Sequence, residues 1–151
     1  MTDQTKNQLI EALQSIGTDA CLTKAAELER HLAPISSLHL RDLSLSESNI
    51  KSLAECLKDA KGSLTSISFS YNSAMGDAGA ITLSKSLPSD ISEIGLVNCG
   101  IADSGGIEIL HWMKSATQLR MICIEQNNFS EQLKFEYRQF SANHPKVLVV
   151  V

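Results

Sequence analysis

The chain has 151 residues, 43% of them apolar and only three of them proline, with a formal charge of −4; that length suits one compact core with no excess for a second domain. Its 13 Lys and Arg are scattered and outnumbered by 17 Asp and Glu, which argues against nucleic acid as a partner, because phosphate binding draws on clustered cations. The opening MTDQTKNQ lacks the basic start and apolar run of a secretion signal, and no apolar stretch approaches the roughly 20 residues that span a bilayer, so a cytoplasmic protein without a membrane partner is expected.

In chain order, Leu9, Leu13 and Ile16 lie along one face of a first helix that Gly17 can end. Thr18 can cap a second helix carrying Cys21, Ala25, Leu28 and Leu32, and Pro34 then breaks the run. Residues 1–34 are therefore expected to form a helical cap over the remainder of the chain, although such a pair can also dock a partner.

From residue 35 to residue 143 one apolar phrase recurs. Leu40, Leu43, Leu45, Ser48 and Ile50 make a first copy; Leu64, Ile67, Phe69 and Asn72 begin a second; Ile91, Ile94, Leu96, Cys99 and Ile101 a third; Leu119, Ile122, Ile124, Asn127 and Phe129 a fourth. Apolar residues stand at offsets 0, 3 and 5, and a small polar residue at offset 8. Copy starts are 24, 27 and 28 residues apart, and a further step of 28 reaches Val147 in the run VLVVV, an expected last strand over 144–151. Alternation through offsets 3 and 5 reads as a short strand with one buried face. The residue at offset 8 (Ser48, Asn72, Cys99 or Asn127) is placed to turn inward and satisfy backbone groups at the bend. The second half of each copy changes to helical spacing, as in Ile81, Leu83 and Leu87 near Ala78 and Ala80, and in Ile107, Leu110 and Met113. Phe129, Phe135, Tyr137 and Phe140 crowd the last helical region and are expected to plug the final turn.

These residues resemble the ribonuclease-inhibitor class of leucine-rich repeats, whose consensus runs from the Asn or Cys position to an apolar residue, then a glycine, then a helix. Cys99, Ile101, Gly105, Ile109 and Met113 fall on it in the third copy, and Gly79, Leu83 and Leu87 in the second after one inserted residue before Met75. The first copy lacks the glycine, and Leu133 replaces it in the fourth; terminal repeats are atypical because they cap the stack. The resemblance covers about residues 40–151 and implies an α/β leucine-rich-repeat solenoid. That is a short right-handed horseshoe, its parallel sheet on the concave face and its helices on the convex face, behind the N-terminal cap and all within a single domain. Relatives of this class include enzyme inhibitors, activators of small GTPases and ligand-sensing receptors.

Residues between the buried strand positions must point out of the concave face. They are Asp42, Ser44, Ser46 and Glu47; Ser66, Ser68, Ser70 and Tyr71; Glu93, Gly95, Val97 and Asn98; Met121, Cys123, Glu125 and Gln126, without a Lys or Arg. Small residues flanked by Asp42, Glu47, Glu93 and Glu125, with Tyr71 as an aromatic anchor, predict a shallow acidic trough for a protein partner with a basic contact surface. The same composition would keep an unoccupied strand face soluble. A second reading uses Val147 to Val151 as an edge strand for weak homodimerisation or self-assembly.

Catalysis is the least favoured reading. Cys123 with His111 or Glu125 is the best candidate for a thiol enzyme, but His111 falls on the helix side of its copy. Cys21, Cys56, Cys99 and Cys123 form no CxxC pair and none of the four histidines stands at ligand spacing to them, so free thiols, no metal and no cofactor are expected. GDAG at Gly76 to Gly79 and SGG at Ser104 to Gly106 have no GK[ST] after them and recur at the repeat turn, which makes them structural. Asp77 and Asp103 are placed to serve helix N-termini, and Trp112 is expected to be partly buried.

Overall fold

The computed structural model describes residues 1–151. Its elements are α1 (Asp3–Ile16), α2 (Asp19–Arg30), β1 (Ser37–His39), α3 (Glu47–Leu57), β2 (Ser66–Ser68), α4 (Gly76–Ser86), β3 (Glu93–Gly95), α5 (Asp103–Ser115), β4 (Met121–Cys123), α6 (Glu131–Asn143) and β5 (Leu148–Val150). The five strands form one parallel sheet in sequence order, each joined to the next through a helix. This is an α/β fold with six α-helices. None of them is long and apolar enough to cross a membrane.

The N-terminal helices start and stop where their residues dictate. Thr2 and Thr18 accept hydrogen bonds from the N–H groups of Thr5 and Cys21, and Gly17 ends α1 in the left-handed region at φ 75°. Leu9 and Leu13 are fully buried, and Cys21, Ala25 and Leu28 face inward, but Leu32 lies past the end of α2 and is 96% exposed, outside the stripe assigned to it. Pro34 therefore ends the apolar face earlier than the spacing suggested.

The strand register sets the repeating frame. Leu38, Ile67, Ile94, Ile122 and Val149 lie opposite one another in successive strands. Ile35, and not Leu40, is thus the counterpart of Leu64, and the first interval is 29 residues instead of 24. At the far end Val149, and not Val150, matches Ile122, so the last step is 27 and the frame opens at Lys146, one place before the expected Val147. The first error has a plain cause. Leu40, Leu43 and Leu45 satisfy offsets 0, 3 and 5 as well as Ile35, Leu38 and Leu40 do, and all these positions are buried.

The inward column at offset 8 contains Leu43, Asn72, Cys99 and Asn127; Ser48, assigned to it from the sequence, is exposed on the first turn of α3. Asn72 Oδ1 accepts from the N–H groups of Leu43 and Leu45 at 3.0 Å each, and its Nδ2 donates to Leu40 O at 2.8 Å and Phe69 O at 2.6 Å. Asn127 repeats the pattern two turns further on, accepting from Cys99 and Ile101 and donating to Leu96 O and Ile124 O. The residue just before each column position, Asp42, Tyr71, Asn98 or Gln126, is left-handed, with φ of 53°, 67°, 50° and 61°. The same bend is built four times.

Helix packing differs in detail from the spacing argument. On α5 the buried residues are Gly105, Gly106, Ile109, Leu110, Trp112 and Met113, whereas Ile107 is exposed. Trp112 is more buried than expected, its Nε1 donating to Leu87 O at 3.3 Å. On α6 Leu133, Tyr137 and Phe140 face inward, Phe129 stacks on Tyr137 with ring centroids 5.5 Å apart, and Phe135 points to solvent instead of plugging the turn. A Cβ on Gly105 would lie 2.9 Å from Asp77 Cα, so the glycine permits α4 and α5 to approach. One buried apolar cluster runs from Met1 to Phe140.

Candidate functional site

The face of the sheet opposite the helices carries side chains in four rows. The register sets Ser37, Ser66, Glu93, Met121 and Leu148 in one row and His39, Ser68, Gly95, Cys123 and Val150 in the next. Backbone bonds from Asp42, Tyr71 and Asn98 N–H to Ser70, Val97 and Glu125 O extend the register past the strands, giving a row Arg41, Ser70, Val97, Glu125 and a last row Asp42, Tyr71, Asn98, Gln126. Residues of the inner rows surround a shallow depression of about 320 Å³.

Of the partner-binding residues expected from the sequence, Ser66, Ser68, Tyr71, Glu93, Val97, Met121 and Glu125 line this depression, and Asn98 stands in the row beside it. The first-copy residues do not. Asp42 and Ser44 are left-handed turn residues after β1, and Ser46 and Glu47 open α3, where Ser46 Oγ and Asn49 form a reciprocal cap. Only Asp42 touches the last row. Their displacement comes from the shift of the first repeat by five residues.

The same shift brings His39 and Arg41 onto the face, so the trough is not uniformly acidic. Arg41 places its guanidinium carbon 5.4 Å from the centroid of the half-exposed Tyr71 ring, a cation–π arrangement, and has no carboxylate within ion-pairing distance. Glu93 and Glu125 lie on the β3 and β4 side. Three strand spacings separate Arg41 from Glu125 in their row, about 14 Å. The interval of 24 residues, short against 27 and 28, is the signal in the sequence that would have moved the frame and found Arg41.

The serines at the centre are committed to the fold. Ser68 Oγ donates to Ser70 Oγ at 3.2 Å, and Ser70 Oγ accepts from Val97 N–H at 3.1 Å; both side chains are buried, as is Val97. A Cβ on Gly95 would meet Ser68 Oγ at 2.6 Å, so these small residues pack against one another across the strands. Glu125 is different: its Oε2 is buried and has no hydrogen-bond partner. A carboxylate oxygen removed from water without a donor is costly, and an incoming N–H or ammonium would relieve it.

No protein-family model matches the chain. A search of curated proteins finds no match either.

Burial, then the charges of Glu125 and Glu93, push the Cys123 thiol up, which lowers the thiolate fraction that a nucleophile needs. His111 sits on α5 with Nδ1 3.8 Å from Glu108 Oε1, away from the depression. The four cysteines are unpaired, and no three His, Cys, Asp or Glu residues converge as metal ligands. The GDAG and SGG glycines fall at the starts of α4 and α5, where Asp77 bridges the two helices: its Oδ1 accepts from Ala102 N–H at 2.7 Å and Gly105 N–H at 2.9 Å. Asp103 in turn accepts at 2.8 Å from the backbone N–H of Ser130, which caps α6 with its own Oγ, so each aspartate serves the start of the next helix and not its own.

Proposed function

We propose that the chain is a leucine-rich-repeat solenoid of the ribonuclease-inhibitor type that binds another protein on its open sheet face, without catalysis, as an adaptor, inhibitor or assembly subunit. The strand register at 27 to 29 residues, the left-handed residue repeated at each bend and the Asn72 and Asn127 networks support the repeat reading. Repeats stacked in this way present a long strand-built surface, which the proposal makes the concave binding face of a horseshoe. A cytoplasmic location belongs to the same proposal and is supported by the four unpaired thiols.

The observation that carries the binding role is the partnerless Oε2 of Glu125 in a depression rimmed by the exposed ring of Tyr71. A basic side chain of the partner satisfies Glu125 and Glu93, and Tyr71 with Arg41 supplies an aromatic anchor. With His39 and Arg41 at the β1 side, the face orients a segment that is basic at one end and acidic at the other.

The test compares affinity capture from native lysate by the wild type and by Tyr71→Ala/Glu93→Arg, with circular dichroism to confirm that both fold. A partner held by the wild type and lost from the variant supports the face. Capture that is unchanged sinks it.

A second reading rests on β5, which pairs with β4 alone and exposes Leu148 and Val150. In this reading two copies join edge to edge through the N–H and C=O of Val149. Val149→Pro removes the outward donor while leaving the β4 ladder. A mass that rises with concentration in the wild type and stays at 16.4 kDa in the variant would favour it.

A further inference from the structure

A wide cleft lies away from the open face, between the C-terminal ends of α5 and α6 and the loops that lead into β4 and β5. It measures about 960 Å³, at the upper end of the roughly 300–1,000 Å³ typical of binding clefts. Lys114, Arg120 and Lys146 stand around it, and none of its lining residues is acidic, in a chain whose net charge is −4. Buried Leu119 and Phe140 form its floor, and the exposed Pro145 and half-buried Val147 supply its open apolar surface.

Cations at helix C-termini commonly serve the unpaired carbonyls there. Arg30 does so at the end of α2, its Nε donating to Ala26 O at 3.0 Å, and His144 Nδ1 lies 2.8 Å from Phe140 O at the end of α6. Lys114, Arg120 and Lys146 do not. All three are exposed, and they form no ion pair and no side-chain hydrogen bond, although Lys24, Lys58 and Lys134 each find a glutamate three residues away. Arg120 is held in place by its backbone, its N–H donating to Ser92 O and its carbonyl accepting from Leu148 N–H, so the guanidinium is presented without being used by the fold.

We propose that this cleft binds an acidic peptide segment of a partner protein, with carboxylates at Lys114, Arg120 and Lys146 and an apolar side chain against Pro145 and Val147. Charge complementarity selects the acidic segment, and the apolar wall distinguishes a peptide from a bare anion. Three cations, with His144 as the one exposed ring in the cleft on which a base could stack, are too few for a nucleic-acid strand. The proposal is independent of the open-face reading and uses none of its residues.

Fluorescence anisotropy tests it with a fluorescein-labelled peptide Glu-Asp-Leu-Phe-Asp-Glu and a control, Lys-Arg-Leu-Phe-Arg-Lys. The acidic probe is expected to bind saturably, more weakly as salt rises, and the basic probe not to bind. Arg120→Glu/Lys146→Glu should weaken the acidic probe at least about tenfold, and the milder Arg120→Gln/Lys146→Gln at least about threefold, with unchanged circular dichroism. Tyr71→Ala/Glu93→Arg should bind it as the wild type does, which separates this cleft from the open face. Absence of saturable binding, equal binding of both probes, or unchanged affinity in a folded cleft variant would overturn the proposal. Tighter binding of an oligothymidylate of equal charge would overturn it in favour of nucleic acid.

Discussion

Asn72 holds four backbone groups, the N–H groups of Leu43 and Leu45 and the carbonyls of Leu40 and Phe69, of which only Phe69 O has a second side-chain partner, the Cys99 thiol. Asn72→Ala strands them in a site without solvent, and the expected loss is about 2–4 kcal/mol, seen as a lower denaturation midpoint with an unchanged slope. Cys99 fills the equivalent place with weaker bonds from its thiol to Phe69 O and Val97 O, so Cys99→Ala should cost about 1 kcal/mol. Its titration gives a second prediction. Burial pushes the Cys99 thiol from 9.0 to about 11, so the native state keeps a proton that the unfolded chain releases first. Stability from this group is therefore complete below pH 9 and falls as pH rises toward 11, by about 2–3 kcal/mol. Denaturation between pH 8 and 11 should show a shallower decline in Cys99→Ala than in the wild type; identical slopes would exclude this source.

At the scale of elements, the helices depend on their predecessors. Ala102 before α5 has no side chain with which to cap it, and Asp77 from α4 supplies both bonds across the gap that Gly105 keeps narrow. Asp77→Ala should cost about 1–2 kcal/mol and loosen the first turn of α5 more than α4 itself, readable as faster amide exchange at Gly105 and Gly106. Asp77→Asn should retain part of that stability, since the amide oxygen can still accept. The sequence placed both aspartates at helix starts correctly. It could not say whose start they serve, because a residue in the first turn of one helix comes near the next helix only after the two have packed.

At the scale of the whole molecule, every strand pairs only with its neighbours in sequence, and α3 to α6 keep the same order, while at the N-terminal end α1 packs against both α2 and α3. Damage should then spread from where it is made. Leu13→Ala, which opens a cavity beside the fully buried face of α1, should raise hydrogen exchange in α1 to α3 well before β4 and β5; simultaneous loss of protection along the chain would show a single cooperative unit instead. The N-terminal helices, α4 and α5, the 27- and 28-residue steps between the middle copies, the inward Asn72, Cys99 and Asn127 and the buried strand centres Ile67, Ile94 and Ile122 were legible in the sequence, because alternation and helical spacing are local properties of the residues that carry them. The frame of the first copy was not. Ile35, Leu38, Leu40, Leu43 and Leu45 admit two phases of one apolar pattern, and only the pairing of Leu38 with Ile67 chooses between them. That choice turned Asp42, Ser44 and Glu47 out of the strand row, brought in His39 and Arg41, and made an acidic trough into a face with charge of both signs. Apolar periodicity states which residues seek the interior; the hydrogen-bond register between strands decides which polar residues end side by side.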